Sequence, residues 1–246
     1  MRIPVLALDE AVIFKPALKR CTMKIPFTTE QFFAVFAQYN LAVWPMQVVL
    51  NLAALGAVVL LLRPRPWTSR VIAGILSIFW LWMAVVYHFI FFTAINPAAW
   101  LFGILFLAGG LWFVWTGVIR DQIPFRFQGG IRSWAGGLLI VFALIVYPLL
   151  GQVFGHRYPA VPTFGLPCPT TIFTIGLLLF AAAPRPRSVF AGPLIWAAVG
   201  SFAAFQLGVF QDLGLLVAGL VGLAAAIAAP SPAHPYPQGK GTQVQG

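Results

Sequence analysis

A chain of 246 residues in which 61% are hydrophobic and 8% charged lies far from the roughly 25% charged residues of a soluble domain, and belongs in a lipid bilayer. The net charge of +10 does not point to nucleic acid, because the arginines stand in pairs and triplets between apolar runs and leave no basic face for a phosphate backbone. They read as topology signals.

In chain order, residues 1–22 fail as a secretory leader, since Asp9, Glu10 and Lys15 interrupt the apolar part and no small-residue cleavage site follows. They read as a non-structural extension, with Met23 as the expected start. Next, Thr28 and Gln31 have capping-box spacing, and Phe32, Phe36 and Tyr39 recur at helical spacing. Residues 23–40 are therefore expected to form an interfacial amphipathic helix. The alternative is an extension of the first span, kinked at Pro45.

Residues 41–229 read as a membrane domain of seven spans, at 41–62, 71–92, 98–119, 134–154, 170–183, 190–208 and 213–229. Each approaches the roughly 20 apolar residues that cross a hydrocarbon core. A fall to six remains open if 190–229 forms one re-entrant hairpin. The fifth span is short, about 21 Å of helix, and follows a loop in which Pro162, Pro167 and Pro169 forbid regular helix. That loop is expected to dip to membrane depth, where non-helical backbone is tolerated against protein or a wet cavity. Residues 230–246 are rich in proline and glycine and read as a disordered tail.

The connections at 63–70, 120–133 and 184–189 carry arginines and alternate with nearly uncharged ones at 93–97 and 209–212. The positive-inside rule puts the basic set in the cytoplasm. The expected fold is an all-α polytopic bundle with its N-terminus outside and its tail inside.

The segments "EQFFAVFAQYNLAVWPMQ", "YHFIFFTAINPAAWLFGILF" and "FGLPCPTTIFTIGLL" together resemble an uncharacterised family of bacterial multi-pass membrane proteins, a domain of unknown function. The resemblance spans roughly Met23 to Ala228 and implies a bacterial inner membrane; it assigns no activity. A weaker likeness lies in Pro64-Arg65-Pro66 before Ala73-Gly74 and Pro184-Arg185-Pro186 before Ala191-Gly192. If these mark a duplication, spans one to three and five to seven are parallel repeats, an arrangement similar to the sugar transporters of three plus one plus three helices.

No lysine stands between Lys24 and Lys240, so no span forms a Schiff base with retinal. Between Glu30 and Asp212 the sole carboxylate is Asp121, in an arginine-rich loop, which leaves coupling through a buried carboxylate without a residue to carry it. Asp212 and Asn96 read as helix N-caps. No Gly-rich phosphate loop, paired catalytic carboxylates, zinc-spaced cluster or nucleophile elbow occurs, and catalysis has little to rest on.

The remaining polar residues gather toward the outer half of the expected bundle. Asn40, Gln47 and Asn51 share one helix face, Gln152 and His156 stack at i,i+4, Thr170 and Thr174 do the same, and His88, Cys168 and Gln206 join them. These ten are the candidate pocket lining. Gln47 and Asn51 read equally as interhelical hydrogen-bond glue, and the two threonines as donors to their own helix. His88, His156 and Cys168 would make a soft ligand set for zinc or copper; otherwise they are an interfacial aromatic, a loop residue and an apolar filler. No other cofactor is implied.

The reading that results is a bundle that binds or passes a small solute through an outward-opening polar pocket. Its rival is a structural or accessory membrane subunit, and a weaker third is a metal- or haem-binding protein using His88 and His156. The bilayer is the expected partner; nothing specifies an oligomeric state.

Overall fold

The protein is described as a computed structural model covering residues 25–228. The expected extension at 1–22 and tail at 230–246 lie outside those residues. Among the described residues there is no strand, only isolated bridges between Phe125 and Ala181 and between Phe164 and Leu166.

Among the described residues eight helices follow one another: α1 Thr29–Ala42, α2 Met46–Leu62, α3 Thr68–Ala94, α4 Ala99–Ile119, α5 Gly130–Val153, α6 Pro167–Leu178, α7 Arg187–Leu207 and α8 Phe210–Ala228. Five of them, α3, α4, α5, α7 and α8, are long and apolar enough to cross a membrane, and six crossings result if α1 and α2 together count as one. The expected fifth span, at 170–183, is represented by the 12-residue α6, which is shorter than a membrane-crossing helix.

The outer surface is apolar, with Leu52, Leu101, Leu138, Phe205 and Ile227 on five different helices all more than 60% exposed. Asn40, His88, Thr170, Thr174 and Asp212 are buried. A surface of leucines around a polar-studded interior suits a lipid environment, where polar groups seek partners inside the bundle.

α1 starts at a closed capping box: Gln31 N–H donates to Thr28 Oγ1 at 3.3 Å, and Thr28 N–H donates to Gln31 Oε1 at 2.9 Å. It buries Phe32, Val35, Phe36 and Tyr39. At Val43–Pro45 the chain turns by 86° into α2, because Pro45 lacks the N–H that a continuing helix needs. α1 therefore crosses one end of the bundle.

α6 is the central element. Every residue from Pro167 to Leu178 except Cys168 is buried, so about 18 Å of helix suffices; a segment wrapped in protein has no hydrocarbon thickness to match. Small residues bring its neighbours close. A Cβ added to Gly136 of α5 would stand 2.7 Å from the Gly176 carbonyl oxygen of α6, so these backbones touch only without side chains there. Trp80 of α3 donates from Nε1 to Thr174 Oγ1 at 3.1 Å and stacks on Phe106 of α4 at 4.6 Å, which locks α3, α4 and α6 together.

The two ends of the bundle differ. At one, Phe125 N–H donates to Ser69 Oγ, Arg126 N–H to the Phe180 carbonyl and Ala182 N–H to the Pro124 carbonyl, while Arg70 pairs with Asp121 at 3.2 Å. The arginine-bearing connections thus meet at a single end. At the other, α1, the 92–98 turn, the 154–166 loop and the 208–212 turn come together, through Phe27 on Phe92, Phe33 on His156 and Phe154 on Phe210.

Candidate functional site

At the α1 end a cavity of about 220 Å³ lies among α1, the end of α3, the start of α6, α7 and the start of α8. Its walls are mostly aromatic and aliphatic, including Phe27, Phe36, Phe92 and Phe102. Tyr87, Asn96, Tyr147, Cys168, Trp196 and Asp212 supply its polar groups.

Three local features of sequence assemble the polar groups around Asp212. Gly208, with φ 69°, ends α7 in the left-handed region, a conformation glycine adopts without steric cost. The reversal delivers Asp212 to the start of α8, 4% exposed. Tyr147 sits in α5 just after a π-helical stretch, Phe142–Val146, whose wider turn resets the side chains that follow. Its hydroxyl donates to Asp212 Oδ1. Pro167 opens α6 in the first turn, where its missing N–H costs nothing. Cys168 then faces the same carboxylate.

Electrostatically the site is unusual for its depth. Among the described residues no arginine or histidine pairs with Asp212, and the ion pair they form is Arg70–Asp121, at the opposite end of the bundle. A carboxylate has about four lone-pair positions, and a buried one holds its charge only with donors or a cation beside it. The Trp196 indole Nε1 is buried without a hydrogen-bond acceptor, although it lines the same cavity. Tyr147 and Cys168 are the hydrogen-bonding neighbours of Asp212, which leaves the carboxylate with acceptor capacity beside an apolar chamber. Such a chamber suits a molecule with an apolar body and one polar end.

Of the ten candidate lining residues, Cys168 lines this cavity; Asn96, read as a helix cap, also lines it and accepts from Ala98 N–H at 3.0 Å. Asn40 fastens the 154–166 loop instead, donating from Nδ2 to the Pro159 carbonyl at 2.7 Å and the Val161 carbonyl at 2.8 Å, and accepting from Thr163 Oγ1 at 2.7 Å. Gln47 donates to the Asn40 carbonyl at 2.8 Å, and Asn51 to the Gln47 carbonyl of its own helix at 2.8 Å. Thr170 Oγ1 accepts from Gly165 N–H at 3.0 Å, and Thr174 donates to the Thr170 carbonyl at 2.8 Å. Gln152 and Gln206 are exposed.

The histidines part company. His88, with no exposure, is enclosed by Phe106 and Trp196 at 4.9 and 5.3 Å between ring centroids, and both its nitrogens are without partners. His156 stacks on Phe33 at 3.9 Å, and partial burial lowers its pKa. Among the described residues no three His, Cys, Asp or Glu side chains stand close enough to hold a metal ion. His88 and Cys168 both lie near Trp196, whereas His156 belongs to the loop over α1.

The sequence reads Asp212 as a helix cap and leaves the bundle without a buried carboxylate, whereas the structure buries Asp212 and sets it beside Tyr147, a residue that nothing in the local sequence marks. The signal available was that Asp212 stands alone as the carboxylate among the last four expected spans, a position that by itself marks an intramembrane functional group. Its partner on α5 was invisible, because no local spacing connects positions 147 and 212.

No curated protein and no solved structure matches the chain. A family model described as a family of unknown function, DUF6064, matches residues 29–231, a range that contains α1 and all of the cavity lining except residues 25–27, and the chain belongs to that family.

Proposed function

We propose that the protein is a multi-pass protein of the bacterial inner membrane that binds, and passes between cavity and surroundings, a small molecule with an apolar body and a cationic or hydrogen-bond-donating end. The observation that carries this reading is Asp212, a buried carboxylate in an apolar bundle, joined by Tyr147 at the end of a mostly aromatic cavity. In the threading that goes with it, α2 to α8 each cross once, α1 lies along the outer surface, and the arginine end faces the cytoplasm. The convergence of the basic connections at one end supports that threading. The cavity then opens outward.

A second reading is favoured by the internal bonds of Asn40, Gln47, Thr170 and Thr174. Those side chains hold helices and loop together, as they would in an accessory subunit.

The test compares a phenylalkyl amine with the matching phenylalkane as stabilisers of the purified full chain. The amine is expected to raise Tm more, and Asp212→Asn to abolish the difference while the phenylalkane response persists. In a Cys21→Ser background, alkylation of Cys168 by N-ethylmaleimide is expected to slow in Ala203→Trp, which fills the cavity wall. Equal responses to amine and alkane, unaffected by Asp212→Asn, would leave the accessory reading in possession.

A further inference from the structure

At the end of the bundle away from the cavity, Arg185 lies between α6 and α7 with 1% of its surface exposed. It donates from Nη1 to the Ala181 carbonyl at 2.7 Å and from Nη2 to the Ala225 carbonyl at 3.3 Å, and its guanidinium carbon stands 5.4 Å from the Phe190 ring. Its Nε is buried without a partner. Arg132 stands in the first turn of α5, about one turn before Gly136, where an added Cβ would lie 2.6 Å from Phe180 Cε2, so the start of α5 lies beside the segment whose Ala181 carbonyl accepts from Arg185. Arg132 Nε and Nη2 are likewise buried and unpartnered.

Two like charges with three unused, water-excluded nitrogens are costly unless something accepts from them. No carboxylate on a described residue serves. Of those on described residues, Asp121 is held by Arg70 at 3.2 Å, Asp212 by Tyr147 at the cavity, and Glu30 lies in the first turn of α1. The start of α5 adds to the positive potential, because its N-cap is Gly129, which has no side chain to accept from the first amides. Burial, and after it the charge of Arg132, brings the Arg185 pKa down to about 10, so it stays cationic at neutral pH.

We propose that Arg132, Arg185 and the first amides of α5 form a binding site for a phosphate-type oxyanion. Guanidinium groups match the oxygens of a phosphate in pairs, and helix N-termini favour the same charge. Beside the site, Phe127, Ile131 and Trp134 are 62%, 83% and 73% exposed. That apolar flank gives acyl chains a place to lie, so the anion is the headgroup of an acidic phospholipid, with free phosphate as the other source of the same chemistry.

The experiment uses the delipidated full chain in neutral detergent, with phosphatidylglycerol, phosphatidylcholine or inorganic phosphate added. Phosphatidylglycerol is expected to raise Tm and remain bound in native mass spectra, and phosphatidylcholine to do neither. In Arg132→Gln the occupancy falls about tenfold, the scale of one lost charged hydrogen bond. A matching shift with inorganic phosphate would identify free anion as the source. Arg185→Gln also cuts the tie from α6 to α8, so Arg132→Gln is the deciding variant. It relieves like-charge repulsion and is expected to exceed wild type in Tm without lipid, then fall below it when phosphatidylglycerol is present. If the two proteins keep the same order and respond equally to every addition, the site does not exist.

Discussion

At the level of single residues, polar side chains in this bundle divide between those that complete the fold and those that leave capacity unused. Asn40 belongs to the first group, since both ends of its amide are engaged by backbone and side-chain partners in the 154–166 loop. Asn51 reaches only the carbonyl one turn back. Asn40→Leu is therefore expected to destabilise the protein by about 2–4 kcal/mol, because each stranded buried group costs about 1–3 kcal/mol, whereas Asn51→Leu should cost below about 1 kcal/mol. Denaturation of the two variants in mild detergent measures both, and the 154–166 loop in Asn40→Leu should become the faster site of proteolysis. Asp212, Trp196 and Arg132 form the second group, and both proposed sites are built from it.

Among the helices, the controlling feature is how closely α5 and α6 approach. Gly136 and Gly176 face one another; a Cβ on Gly176 would stand 3.0 Å from the Gly136 carbonyl oxygen and 3.2 Å from the Ile140 amide nitrogen. Backbone cannot retreat as a flexible side chain can, so Gly176→Val is expected to force the pair apart at a cost of about 1–3 kcal/mol. The same separation is expected to disturb the approach of Tyr147 on α5 to Asp212 on α8, since α6 packs against both helices. A drop in Tm, together with loss of the amine-specific stabilisation, is the expected outcome. Ala53→Val, on the partly buried face of α2, serves as the comparison and should leave amine binding intact.

For the molecule as a whole, the arginine-bearing connections meet at one end and the cavity lies at the other. In a Cys21→Ser, Cys168→Ser background, single cysteines placed by Arg65→Cys and Arg126→Cys should react with an impermeant maleimide from the cytoplasmic side. Asn96→Cys and Arg157→Cys should react from the outside. Labelling of positions 65 and 157 from the same side would end the seven-crossing arrangement. It would leave the five to six membrane-length helices untouched, because those follow from length and composition.

What the sequence determined by itself is whatever local chemistry controls. Apolar runs as long as a bilayer is thick specify α3, α4, α5, α7 and α8; Thr28 with Gln31 starts α1, and Pro45 ends its direction. Arginine placement marks the connections that meet at one end. Periodicity could not decide which polar groups would share a space, because that depends on pairs such as Tyr147 and Asp212, 65 residues apart. The expected outer cluster mixed loop fasteners such as Asn40 with one cavity residue, Cys168, since both kinds show the same polarity and depth in the sequence. Tertiary packing separated them. It wrapped α6 in protein so that twelve residues suffice, spent the hydrogen bonds of Asn40, Thr170 and Thr174 on backbone, and brought Asp212, Tyr147 and Trp196 to one chamber.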